Sequence, residues 1–345
     1  MDDNPRDEPR VRIALPSKGR MESETLSFLA DCGLKVDKTN PRQYTATIPA
    51  MPEVLLLFQR ASDIPVSVQA GDVDIGITGL DLIADKLGDE ADDVLLIHDA
   101  LGYGQCALVL AVPVEWAEVR SVGDLRAFTA KRGDLRVATK HRHLVERFLA
   151  DHAIDDCRVV AADGALEAAP GIGYADFIAD VTSTGTTLRD NHLKQIEGGT
   201  LVESQAALIG NRSALESRPE LLATTRGLLE LIEAHLRARG QYMIFANMRG
   251  ESAEMVAERV HNQPSLGGLQ GPTIAPVYTR DGGGNGWYAI NVVASADRLY
   301  ATIEQIRAIG GSGVVVTPVT YIFEERPARY QALLEAVGAE EKALS

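Results

Sequence analysis

Apolar positions in this chain come in short runs separated by helical stretches, and the alternation holds through the first two-thirds. Residues 11–15, apolar but for Arg12, predict a strand. Over residues 22–32, Leu26, Leu29 and Ala30 recur on one helical face, and Gly33 supplies a stop. Residues 53–59 predict a buried strand, 64–70 a helix ended by Gly71, and 73–78 another strand. Residues 107–112 and 135–138 predict further strands, and Leu144, Phe148 and Leu149 mark a helix over 144–152. Strands alternating with helices predict an α/β fold with a mostly parallel sheet covered on both faces.

Two places break this rhythm. The acidic loop 88–93 and the glycines Gly102 and Gly104 predict a crossing between two lobes, and a second crossing is expected near 182–188. Lobe I is then residues 11–100 with 182–216, and lobe II residues 101–181. From Ser217, an expected N-cap ahead of Pro219 and Glu220, an apolar stripe of Leu221, Leu222, Leu228, Leu229, Ile232 and Leu236 predicts a linker helix over 217–240. The remainder, 241–330, reads strand (242–248), helix (253–262), strand (273–278), a glycine-rich hairpin loop (281–286), strand (287–294), helix (298–309) and strand (314–323). That order is ferredoxin-like, βαββαβ. Residues 1–10 and 331–345 are expected to be tails, the first of them disordered.

Composition narrows the function classes. The chain has 345 residues and a formal net charge of −15, against the clustered basic surface that nucleic acid requires. No apolar stretch approaches the ~20 residues that span a bilayer, so no membrane partner is expected. Cys32, Cys106 and Cys157 are widely spaced, with no metal-ligand motif and no disulfide framework. Reduced thiols and a polar N-terminus without an apolar signal core point to the cytoplasm.

The chemistry concentrates in Asp180-Val181-Thr182-Ser183-Thr184-Gly185-Thr186-Thr187-Leu188, where an acidic residue ends an apolar run and a hydroxyl-rich turn follows. Hydroxyls and backbone N–H groups wrap a phosphate, and glycine lets the backbone come close. The longer pattern starts at Glu167, passes Gly173, Ala175 and Ile178, and continues through Asp180, Val181, Thr184, Gly185, Thr187 and Leu188. It resembles, at every required position, the signature of ATP phosphoribosyltransferase, the first enzyme of histidine biosynthesis. Arg12-Ile-Ala-Leu-Pro-Ser-Lys18-Gly19-Arg20, Asp74-Ile-Gly76-Ile-Thr-Gly79 and Leu101-Gly-Tyr103-Gly104-Gln-Cys106 are similar to other segments of the same family, in the same order.

The resemblance implies a two-lobed, periplasmic-binding-protein-like catalytic unit followed by a ferredoxin-like regulatory domain. It implies transfer of the phosphoribosyl group of phosphoribosyl pyrophosphate (PRPP) to N1 of ATP, with release of pyrophosphate and feedback inhibition by histidine. Glu167 and Asp180 would face the ribose hydroxyls, and Thr184, Gly185, Thr186 and Thr187 the 5-phosphate, with Thr187 also placed to cap a following helix. Lys18, Gly19 and Arg20 would meet ATP, and Tyr103 would either stack on adenine or fill the lobe junction. Mg²⁺ would arrive on the substrate phosphates, since no protein motif holds a metal. Leu269 and Thr273 match positions near the family's histidine site, although Phe245-Ala-Asn247-Met248 lacks an aspartate found there in relatives. His141-Arg-His143 replaces the family's Tyr-Pro and reads as a solvated helix start. A homo-oligomer, dimer to hexamer, is expected. The competing class is a two-lobed protein that binds or senses a small anion without reacting; a phosphoribosyltransferase acting on a free base is a weaker third reading.

Overall fold

The computed structural model describes residues 11–339 apart from 39, 41–42, 89–90, 163, 270 and 279–285. The expected tail 1–10, most of the glycine-rich hairpin loop and part of the acidic loop lie outside the described residues. The chain divides into two compact units, one running to Leu229 and resuming at Ala328, the other covering Glu230–Pro327.

The first unit begins with β1 (Val11–Pro16), α1 (Gly19–Asp31), β2 (Thr45–Ile48), β3 (Met51–Gln59), α2 (Ile64–Gln69), β4 (Ile75–Gly79), α3 (Leu80–Leu87) and β5 (Val94–His98). It crosses into β6 (Cys106–Pro113), α4 (Val122–Arg132), β7 (Leu135–Thr139), α5 (Arg142–Asp151), β8 (Cys157–Ala161), β9 (Phe177–Thr182), α6 (Thr186–Asp190) and β10 (Leu193–Ser204). It then returns through β11 (Ala206–Asn211) to α7 (Arg212–Ser217) and the first half of α8 (Pro219–Ala238), this stretch of the unit ending at Leu229. Two sheets result, in the orders β2-β3-β1-β4-β11-β5 and β10-β6-β9-β7-β8, so this unit is two-lobed with two crossovers.

Hydrophobic burial explains the arrangement. β4 is buried at every position because it lies inside its sheet, and its one polar side chain, Thr78, donates to Ala61 O at 2.7 Å. Gly76 on β4 has no room for a side chain: a Cβ would sit 2.4 Å from Ile64 of α2. In the second lobe Leu108, Leu110, Val137 and Phe177 face one core, while Val109, Ala138 and Ile178 face another across the sheet. Alternate residues on each strand thus serve opposite faces.

Three expectations need correction. Neither sheet is mostly parallel: β11 runs antiparallel to β4 and β5, and β6 antiparallel to β9 and β10. Strands that enter a sheet by crossing between lobes are free of the parallel βαβ rule. The return to lobe I lies at Gln205, not at 182–188, because β10 belongs to the second sheet. Gln205 O accepts from Leu80 N and Gln205 Oε1 from Gly102 N, so the two crossovers run side by side. Ser217 is the last residue of α7, its hydroxyl donating to Ser213 O, and so it does not cap α8.

The second unit contains β12 (Gln241–Arg249), α9 (Ala253–His261), β13 (Thr273–Pro276), β14 (Trp287–Ser295), α10 (Leu299–Ala308) and β15 (Gly311–Pro318). The order β13-β14-β12-β15 with a helix after the first and third strands is ferredoxin-like. Ile244, Ala246 and Met248 of β12 and Ile290 and Val292 of β14 pack with Val256, Val260 and Ile306 of the helices. β15 is shorter than the expected strand 314–323, ending at Pro318. Residues 328–336, expected to close the last domain and open a tail, instead form α11 (Ala328–Ala336), which buries Tyr330, Leu333 and Leu334 in the first unit. No helix of the described residues is long and apolar enough to cross a membrane.

Candidate active site

β7, β8 and β9 run parallel, so their carboxyl ends share one edge of the second sheet. Such edges are where open α/β sheets bind ligands. Three segments leave from it: Lys140-His141 after β7, the turn bearing Glu167 after β8, and Thr182–Thr187 at the end of β9. Ala138 is in register with Val160 on one side and Ile178 on the other, which brings Lys140 level with Asp180.

Asp180 is half-buried, and its Oδ1 accepts from the N–H of Val181 at 2.8 Å. Burial raises its pKa above the ordinary 3.8; the Val181 N–H and the charges of Lys140 and His141 oppose this, while Glu167 adds to it. Glu167 rides on the single 3₁₀ turn Leu166–Ala168, pinned by the buried Leu166 and Ala169. The segments that sequence pattern joined therefore lie within electrostatic reach of one another.

The hydroxyl-rich loop is braced from inside. Thr182 Oγ1 accepts from Gly185 N at 2.9 Å, and Thr184 and Thr186 hydroxyls are 3.0 Å apart. Arg189 of α6 donates to Thr184 O at 3.1 Å and to Thr186 Oγ1 at 3.0 Å. Gly185 has φ +68, the left-handed region that a β-branched residue avoids. It occupies the cap position of α6, so Thr187 lies inside the helix and does not cap it. A cavity of about 940 Å³ abuts this loop, lined by Thr182, Ser183, Thr184 and Gly185 with Cys106, Arg189 and Lys194. Glu167, Asp180, Thr186 and Thr187 are not on its wall. The groups with chemical capability lie at the strand edge, so the site is centred there and the cavity adjoins it.

Lys18 is in the cap position of α1, and Gly19, at φ +72, and Arg20 are the first two residues of that helix. Arg20 is exposed, 3.6 Å from Glu24, and its charge reaches Cys106, which lines the cavity. Tyr103 fills the junction: its hydroxyl donates to Thr25 Oγ1 at 3.0 Å and its ring lies 5.0 Å from that of Phe28. Burial pushes its phenol pKa well up.

Other residues are placed differently from their sequence reading. His141 is buried, not solvated, and its Nδ1 lies 3.6 Å from Asp85 Oδ2 of α3. That separation is an ion-pair distance, longer than a hydrogen bond. Burial raises the Asp85 carboxyl, but His141 and Lys86 outweigh it, so its net pKa lies below the ordinary 3.8. Asp74 of the Asp-x-Gly segment is structural: its carboxylate takes Arg12 N at 2.7 Å, Arg12 Nη2 at 3.2 Å and Arg218 Nη1 at 2.7 Å. Lys140 carried no sequence signal; only the pairing of β7 with β9 brings it to the site.

In the second unit, Leu269 and Thr273 line a cavity of about 710 Å³ with Arg237, Asn291, Glu324 and Arg326. From β12 it takes Met243 rather than Asn247.

Residues 60–234 match a family model described as ATP phosphoribosyltransferase, and residues 238–321 one described as HisG, C-terminal domain. ATP phosphoribosyltransferase 2, chloroplastic, of Arabidopsis thaliana is 47% identical over 95% of this chain and 81% of its own length. ATP phosphoribosyltransferase of Gemmatimonas aurantiaca is 37% identical over 90% of this chain and 98% of its own. A chain of the ATP phosphoribosyl transferase (HisG:HisZ) complex of Thermotoga maritima superposes with a TM-score of 0.51 at 23% identity, covering 65% of this chain and 98% of that one, a likeness of fold. The motif order, the two-lobed unit with its ferredoxin-like companion, and relatives aligned over nearly the whole length all lead to one assignment: the chain belongs to the ATP phosphoribosyltransferase family.

Proposed function

We propose that this chain joins N1 of the ATP adenine to C1 of PRPP and expels pyrophosphate, the first step of histidine biosynthesis. The observation that carries the reading is the meeting of Asp180, Glu167 and the Gly185 loop at one strand edge in a chain of this family. Asp180 and Glu167 accept from the ribose hydroxyls, while Thr184, Gly185, Thr186 and Thr187 take the 5-phosphate. Lys18, Gly19 and Arg20 meet the ATP phosphates, and Tyr103 borders the adenine. The reaction builds positive charge on the ribose ring, so orientation and electrostatics carry the catalysis more than a strong base. Asp180 and Glu167 are hard oxygen donors close enough for one charge to act on the other, which suits a divalent cation shared with the substrate. Magnesium, brought by the polyphosphates, supplies neutralisation of the departing pyrophosphate.

Histidine is proposed to bind the cavity of the second unit. Its guanidinium and carboxylate groups suit a zwitterion, with Leu269 and Thr273 on the wall. Phe245 and Val315 are in register on the sheet face away from α9 and α10, large apolar groups left exposed that suit assembly with further copies. We place the reaction in a reducing compartment such as the cytoplasm, since no disulfide joins the three cysteines, all among the described residues; the two Arabidopsis relatives are named as chloroplastic.

The test is incubation with ATP, PRPP and Mg²⁺, watching for pyrophosphate and a mass matching phosphoribosyl-ATP. Both products should appear, and chelator with metal-free substrates should stop them. PRPP bound without any turnover would instead support the anion-binding reading.

A further inference from the structure

Across the carboxyl edge of the second sheet the strand order is β9-β7-β8, so β7 lies between the strand that carries Asp180 and the strand whose exit turn carries Glu167. The first residue beyond β7 is Lys140. It is exposed and, among the described residues, forms no hydrogen bond or ion pair. Neighbouring cations are committed: Arg189 braces the loop through Thr184 and Thr186, and Lys194 donates to Trp116 O at 2.8 Å. Lys140 is close enough to Asp180 for its charge to act on that carboxyl. A flexible ammonium beside a half-buried carboxylate, with no partner holding it, is a group poised for a substrate anion.

We infer that Lys140 is a further substrate-contacting residue, whose ammonium binds the pyrophosphate that PRPP carries on C1. The inference rests on the proposed roles of Asp180, Glu167 and the Gly185 loop. Of the two ribose hydroxyls, the one on C2 is next to C1 and the other is on C3, whereas the 5-phosphate lies at the far end of the ring. If Asp180 holds the hydroxyl next to C1 and the loop after β9 holds the 5-phosphate, the cation beside Asp180 faces the C1 substituent. As the reaction proceeds, adenine N1 donates its lone pair to C1 while the C1–O bond breaks and its electron pair leaves with pyrophosphate. Negative charge on the leaving group therefore grows beside the Lys140 side chain, which stabilises that charge more than the ground state.

The experiment compares wild type, Lys140→Met and Lys140→Arg, each with Mg²⁺. Calorimetry measures binding of PRPP and of ribose 5-phosphate, which lacks the C1 pyrophosphate; steady-state kinetics and melting temperature are read on the same preparations. The expected result for Lys140→Met is PRPP binding weaker by on the order of 10- to 100-fold, as for loss of a charge-assisted hydrogen bond. Its kcat should fall, while ribose 5-phosphate affinity and melting temperature stay unchanged, and Lys140→Arg should recover part of both losses. Unchanged PRPP affinity and kcat, or equal losses for PRPP and ribose 5-phosphate, would overturn the assignment to the pyrophosphate. Wild-type enzyme that binds neither ligand would overturn it together with the PRPP reading of the edge, and so separates the two failures.

Discussion

Asp180 is held where ionising it costs the fold. Its pKa is raised above 3.8, by burial first, so the folded state binds the proton more tightly than the unfolded chain. Between the ordinary and the raised value, stability therefore falls as pH rises. Asp180→Asn should melt at or above wild type at pH 7 yet lose activity, and the difference in melting should vanish below about pH 3.8, where both side chains are neutral. Thermal melts across pH check this; a marked loss of stability at pH 7 would contradict it. Thr187→Ala should weaken PRPP by ~1–3 kcal/mol, the worth of a hydrogen bond to a charged group, with melting little changed because Thr187 is exposed. The candidate carboxylates and loop were legible in the sequence because they fall in one spaced pattern over residues 167–188. Lys140 was not, because its proximity to Asp180 comes from strand pairing. His141 was misread because a histidine ahead of a basic, polar helix start looks solvated until α3 is packed over it.

At the scale of elements, α3 ties the lobes together. Its first turn is fixed by Asp81, which exchanges hydrogen bonds with Ser204 at the end of β10, and its last turn by Asp85 against His141 at the start of α5. Asp85→Asn should destabilise the protein by roughly 1–3 kcal/mol at pH 7, the cost of leaving a buried polar group without its charge partner. The sign with pH follows from the depressed Asp85 pKa. Its contribution is present above 3.8 and is lost as pH falls through the lower folded value, so the gap between variant and wild type should close in acid. A gap that widens in acid would contradict the pair. The strands of continuous or alternating apolar character were legible, whereas β10 was not. Its register shifts between Gln195 and Thr200, around Gly198 and Gly199, and the bulge breaks the period-two pattern that marks a strand. The crossover was consequently expected before β10 instead of after it.

For the whole molecule, the boundary between the units matters most to any test of regulation. Removing everything after Gly240 would also remove α11, which belongs to the first unit. There Arg212 donates to Ala336 O at 2.9 Å and Arg226 lies 5.3 Å over the Tyr330 ring. Loss of the buried Tyr330, Leu333 and Leu334 should cost about 1.5–3 kcal/mol for each large apolar side chain, so that truncation should be poorly folded. Excising residues 241–327 with a short flexible join should leave a better-folded enzyme that histidine no longer inhibits. Inhibition as strong as in the full chain would show that histidine acts elsewhere. The ferredoxin-like order was legible because each strand and helix there keeps its own period. The long-range return of α11 was not, because no local pattern states which unit a helix covers.

The central claim is that the carboxyl edge of β7, β8 and β9 binds PRPP through the Gly185 loop. The most direct measurement is a calorimetric titration of PRPP into wild type and Gly185→Val. A valine there must adopt φ +68 and bring its Cβ within 3.2 Å of the Arg189 guanidinium that braces the loop. Strain of this kind costs ~1–2 kcal/mol, too little to unfold the first unit. Wild type should bind PRPP, and the folded variant should bind it weaker by on the order of 100-fold or more, since several charge-assisted contacts depend on the loop's shape. Equal PRPP affinity in the two proteins would contradict the account.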